Sequence, residues 1–117
     1  MSIRRIEPGP RMSQAVIHGK TVYLAGVVAS GAKGKSVSEQ TKDILHTIDR
    51  LLKESGSNKS KLLTANIWLT DIAKFADMNK EWDVWVSPGN TPARATVEAK
   101  LAAPEYNVEI MVTAALD

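Results

Sequence analysis

The chain has 117 residues, 44% hydrophobic and 24% charged, with a formal net charge of +2 and no cysteine. That length supports one domain, 1–117, rather than two independent cores, and the missing cysteines exclude disulfides, thiolate metal sites and thiol nucleophiles together. The basic residues are interspersed with acids, so nucleic acid is not an expected partner; no apolar run approaches the ~20 residues that span a bilayer, and the charged opening Met1-Ser-Ile-Arg-Arg-Ile-Glu-Pro8 does not read as a signal peptide, which makes the cytoplasm the expected location.

Gln14–His18 and Thr21–Ala25 are extended runs on either side of Gly19-Lys20, a Gly-X link that suits a β-hairpin; Gly26 is expected to end the second. Ser30–Lys35 reads as a loop. Ser36-Val-Ser-Glu39 reads as a capping box, in which the serine satisfies an amide of the first turn and the glutamate reaches back. Val37, Ile44, Leu45, Ile48, Leu51 and Leu52 follow at helical spacing, and Gly56 suits the stop. The opposite face carries Lys42, Asp49, Arg50, Lys53 and Glu54, with Asp49/Lys53 and Arg50/Glu54 spaced as i, i+4 pairs, and reads as solvated.

Lys61–Thr70 reads as a strand. Asp71 is placed to cap a second helix running to about Val86, with Ile72, Phe75, Met78, Asn79, Trp82 and Trp85 roughly on one side. Pro88–Pro92 breaks it. Ala93–Leu101 and Asn107–Leu116 read as closing strands, the last with Val108, Ile110, Val112 and Ala114 alternating inward; Ala102–Tyr106 links them, and Pro104 rules out a long helix there. The order, two or three strands, helix, strand, helix, two strands, predicts an α+β fold with both helices on one face of a mainly β sheet.

Chemistry is sparse. His18 and His46 lack a second ligand at i+3 or i+4, so no metal site is expected. Phosphate-binding glycine loops and hydrolase elbows have no match in the sequence. The three tryptophans read as core or interface filling. Arg94 follows a rigid turn and presents a planar, permanently charged fork that suits a carboxylate, although a strand-end salt bridge would serve equally. By alternation Glu109 leaves through the face opposite Val108 and Ile110, beside Met111 and Thr113, where a carboxylate has the chemistry of a general acid or base. If the last two strands form a hairpin with Leu101 opposite Val108, Glu109 faces Lys100 and lies about 20 Å from Arg94. One chain then does not bring both to a small substrate; either the strands pair otherwise or the site is assembled from two copies.

Five segments in order resemble the RidA/YjgF family of reactive-intermediate deaminases, also called endoribonuclease L-PSP. They are Arg11-Met-Ser-Gln-Ala-Val16, Val22-Tyr-Leu-Ala-Gly26, Gln40-Thr41, Asn79-Lys-Glu-Trp82, and Thr91-Pro-Ala-Arg-Ala-Thr-Val-Glu98 with Val108-Glu-Ile110. The resemblance implies a chorismate-mutase-like subunit, a mainly antiparallel mixed sheet with two helices on one face, and a homotrimer with pockets between subunits. It implies hydrolysis of 2-imino acids or their enamine tautomers to 2-oxo acids and ammonia, with no metal or organic cofactor. Carried over, Arg94 grips the substrate carboxylate, Glu109 activates water, Gly26 and Thr96 line the pocket, and Asn79 supports it. Where well-characterised deaminases carry tyrosine before Ser-Gln this chain has Met12, and where they carry serine before Gly it has Ala25. Both changes remove hydroxyls from the expected pocket wall, which favours a bulkier or more apolar substrate. Non-catalytic binding of a small carboxylate metabolite, or a chaperone-like or translation-inhibitor role, is the alternative; ribonuclease activity rests on the older family name alone.

Overall fold

In a computed structural model, which describes residues 2–117, strands and helices follow in the order β1 (Ile3–Ile6), β2 (Ala15–His18), β3 (Thr21–Leu24), β4 (Val27–Val28), α1 (Val37–Ser55), β5 (Leu62–Leu69), α2 (Phe75–Trp85), β6 (Ala93–Glu98) and β7 (Val108–Ala115). The sheet order is β1-β2-β3-β7-β5-β6, with β4 also on β7. The α+β class is therefore as read from the sequence. Against the two or three strands expected before the first helix there are four, and two of them were not located in the sequence: β1, which pairs with β2, and β4, which continues the line of β3 after an interruption.

That interruption bears on the site. Tyr23 pairs with Thr113 and Val27 with Ile110, so the β3–β4 side carries one more residue than β7 between the two pairs. This is a β-bulge, and Ala25 and Gly26 lie in it. The extra residue resets the alternation, returning Val27 to the core and putting Val28 beside Glu109 on the other face.

Local signals in α1 hold. The Ser36 hydroxyl accepts from the Glu39 amide at 3.1 Å and donates to Glu39 Oε1 at 3.2 Å, so the glutamate reaches back to the capping hydroxyl. Gly56 ends the helix at φ 87°, a left-handed conformation that a Cβ disfavours. Arg50 bonds Glu54 at 3.1 Å as its spacing implies, and also Glu7 at 2.8 Å. Asp49 departs from expectation: it accepts from the Trp85 indole N–H at 3.1 and 3.0 Å. The second helix starts later than read, because Asp71 caps a short 3-10 turn over Ile72–Lys74, accepting from the Ala73 amide at 3.0 Å, and α2 proper begins at Phe75.

The core lies between the sheet and the helices. Ile44, Ile48, Leu51 and Leu52 of α1 meet Val22, Ile67, Leu69, Ile110 and Val112 of the sheet, all buried. Among the described residues no helix covers the other face, where Tyr23 and Val97 are 48% and 50% exposed and Trp68 and Met111 half-buried.

The hairpin supposed for the last two strands does not form, and of the alternatives left open by the sequence the strands do pair otherwise. β5 lies between them, parallel to β6 and antiparallel to β7. A parallel pair needs a crossover, and α2 supplies it.

Removing the α1 cap with Ser36→Ala is expected to lower stability by about 1 kcal/mol. Denaturant titration at fixed protein concentration checks this, and an unchanged midpoint would contradict the capping role.

Candidate active site

Arg94 pairs with Ala65 and Glu109 with Trp68, three positions apart on β5. Two strand spacings across and ~3.3 Å per residue along put their Cα atoms about 14 Å apart, less than the 20 Å of the assumed hairpin. Distance is nevertheless not the obstacle. Arg94 shares its side of the sheet with Ala65, Val112 and the other buried positions, whereas Glu109 shares its side with Trp68 and Met111. The two side chains leave through opposite faces, so one chain does not bring them together.

Arg94 emerges under α2. Its Nη1 donates to Asn79 Oδ1 at 2.8 Å, and its guanidinium carbon lies 5.2 Å from the Trp82 ring centroid and 5.7 Å from that of Phe75. Among the described residues no carboxylate lies within salt-bridge distance of it, which removes the strand-end ion pair as its explanation. A half-buried guanidinium therefore keeps most of its N–H donors without a protein partner. Thr96 lies on the same face two residues along, and its Oγ1 is buried without a hydrogen bond. Asn79, expected to support the pocket, touches the arginine directly. Phe75 and Trp82 were read only as packing residues; their spacing of four and seven from Phe75 through Asn79 to Trp82 is the signal that all three share the face over β6.

Glu109 sits at the bulge. A Cβ on Gly26 would stand 2.1 Å from Glu109 Oε2, so the missing side chain is what gives the carboxylate its place. Val28 and Trp68 flank it across the sheet, and among the described residues its oxygens have no hydrogen-bond or ion-pair partner. Trp68 beside this carboxylate was not singled out from the sequence. Met12, 50% exposed, lines an open cleft of ≈430 Å³ with Gln14, Gly26, Val28 and Ser30; the Glu7–Arg50 pair stands at its rim. Donation from Arg50 holds the Glu7 carboxyl below its ordinary value, and the same contact raises Arg50.

His18 and His46 are both exposed on separate elements, and no group of three or more His, Cys, Asp or Glu among the described residues could hold a metal ion. No helix among them is long and apolar enough to cross a membrane.

A protein-family model described as endoribonuclease L-PSP matches residues 2–116. The chain is 47% identical over 114 residues to a RutC family protein of Haemophilus influenzae, covering 97% of this chain and 98% of that one. It superposes with a TM-score of 0.96 on the crystal structure of a YjgF-family protein from Neisseria meningitidis, at 46% identity, covering 100% and 97% of the two chains. A relative from Arabidopsis thaliana, named Reactive Intermediate Deaminase A, chloroplastic, is 32% identical over 109 residues, covering 89% of this chain and 58% of that one.

Gly26→Ala is expected to leave the fold in place, since the clash is with the far end of a flexible side chain, and to move the Glu109 carboxylate. A crystal structure of the variant with that carboxylate unmoved would contradict the close fit. Because the folded Glu7 value is depressed, its contact with Arg50 stabilises fully above the ordinary glutamate value and is lost as pH falls through the folded value. The difference in denaturation midpoint between wild type and Glu7→Gln should therefore vanish on acidification; a difference that grows instead would reverse the sign.

Proposed function

The chain belongs to the endoribonuclease L-PSP (YjgF/RutC) family, and from that premise we propose that it hydrolyses 2-imino or 2-enamino acids to 2-oxo acids and ammonia. The observation that carries this reading is the pair of unpartnered charges. Among the described residues Arg94 is half-buried, stacked and without a carboxylate, and Glu109 stands without a cation in a row of apolar neighbours. A site that keeps an arginine and a glutamate apart and unpaired has both free for something else. The name of the Arabidopsis relative supports the chemistry.

Arg94 grips the substrate carboxylate through two parallel hydrogen bonds, with Asn79 fixing the guanidinium and Thr96 offering its unpaired hydroxyl nearby. Glu109 takes a proton from water as the water oxygen attacks the imine carbon; the C=N pair moves to nitrogen, which receives that proton from Glu109. In the resulting carbinolamine Glu109 passes the hydroxyl proton to the amine, the C=O bond forms as the C–N bond breaks, and ammonia and the 2-oxo acid leave with Glu109 again ionised. Each step is a proton transfer, an addition or an elimination with no change of oxidation state, so two side chains and water suffice.

Opposite faces require two copies. A neighbouring subunit that covers the open sheet face with its β6 edge brings its own Arg94 to this subunit's Glu109. The uncovered apolar face, with Tyr23, Trp68, Val97 and Met111, fits such a contact, and three copies in a ring close it. Gly26 and Met12 then line the shared pocket. Met12 and Ala25 offer no hydroxyl, so the wall beside the reacting carbon accepts apolar substituents.

The test is oxo-acid release from imines generated in situ by an amino-acid oxidase. Glu109→Gln is expected to lower kcat by roughly 10²–10⁴-fold, and Arg94→Ala to raise KM at least about tenfold. A wild type no faster than Arg94→Ala would sink the assignment. Tight 2-oxo-acid binding that survives Glu109→Ala without any turnover would point instead to a carboxylate-binding protein.

A further inference from the structure

We propose that Phe75 and Trp82 of α2 are positioning residues for Arg94, forming an aromatic cradle that sets the direction of its carboxylate-binding edge. This rests on the reading of Arg94 as the carboxylate grip and concerns what holds that grip in place. The guanidinium is flat, weakly hydrated and permanently charged, and the face of an aromatic ring attracts it electrostatically. Arg94 meets two such rings, at 5.2 and 5.7 Å, while Asn79 accepts one Nη1 hydrogen at 2.8 Å. Rings and amide together restrict both the tilt and the rotation of the fork. What remains unpartnered is the set of N–H donors a bidentate carboxylate needs.

The cradle is anchored away from β6. Trp82 is only 5% exposed and packs against Trp85 with ring centroids 5.3 Å apart and planes at 53°. Trp85 in turn donates its indole N–H to both Asp49 oxygens on α1. A line of contacts therefore runs from α1 through Trp85 and Trp82 to the guanidinium. β6 is an edge strand in this subunit, paired with β5 alone, so on its outer side no neighbouring strand of the same chain packs against the arginine's side chain. The helix layer supplies the restraint that the strand lacks.

A purely structural role for these rings would lower stability or folded yield without regard to the substrate's carboxylate. A positioning role acts through Arg94, and a double-mutant cycle separates the two. Phe75, 40% exposed, is the safer handle. With oxidase-generated imines, Phe75→Leu is expected to raise KM roughly 2- to 5-fold with little change in kcat, and Phe75→Tyr to restore it. In an Arg94→Ala background the same Phe75→Leu change should leave kcat/KM unaltered. Trp82→Leu, confirmed folded by its thermal melt, should show a larger KM loss that Trp82→Phe largely recovers. The affinity for 2-oxobutanoate, measured by titration on the same variants, reads the cycle independently of turnover.

An unchanged KM and affinity in Phe75→Leu would overturn the cradle, as would an equal loss with and without Arg94, or equal values for Trp82→Leu and Trp82→Phe. Those results leave imine hydrolysis standing. Wild-type protein that neither turns over imine nor binds the oxo acid would remove the carboxylate reading itself, and the cradle's purpose with it.

Discussion

Parallel pairing of β5 with β6 governs both halves of the site. Parallel neighbours cannot be joined by a tight turn, so the chain leaves β5, runs back through α2 and re-enters at Ala93. That return path lays α2 on the same face from which Arg94 emerges, and the helix brings Phe75, Asn79 and Trp82 to the guanidinium. The insertion of β5 also separates β6 from β7. Because side chains alternate strictly along each strand, the registers commit Arg94 to the covered face and Glu109 to the open one. A shift of one residue in either register would flip the corresponding side chain to the other face.

Electrostatics explains why the separation matters. An arginine and a glutamate on one face, with Cα atoms about 14 Å apart, would attract each other across β5 and weaken each other's pull on a charged ligand. On opposite faces neither neutralises the other. Arg94 is held instead by ring faces and one amide oxygen, contacts that support a cation without using up its charge. Glu109 stands against a glycine, between Val28 and Trp68. The bulge at Ala25–Gly26 makes that place: the extra residue brings a position without a side chain beside the carboxylate, and a side chain there would collide with it.

Local patterns in the sequence carried far. The Ser36 cap and Gly56 stop bracket α1 as their chemistry dictates, and the alternation of Val108, Ile110, Val112 and Ala114 places Glu109 on the open face. Non-local pairing did not show. Nothing in Ala93–Glu98 or Val108–Ala115 says which strand lies between them, because consecutive strands of matching pattern read naturally as a hairpin. The short strands β1 and β4 were missed for a related reason: four and two residues give too little alternation to register. Asn79 was found through the family resemblance, whereas Phe75 and Trp82 were taken for packing, since an aromatic residue on an amphipathic helix has the same spacing whether it meets a leucine or an arginine.

The central claim is that a working site takes Arg94 from one chain and Glu109 from another, and complementation tests it directly. Arg94→Ala and Glu109→Ala proteins, each strongly impaired alone at substrate concentrations below KM, would be unfolded together in equal amounts, refolded and assayed for imine hydrolysis under the same conditions. Random assembly should restore about a quarter of wild-type activity, the chance that a shared site draws both intact residues from a heterologous ring. A refolded mixture that assembles yet recovers no activity would contradict the account.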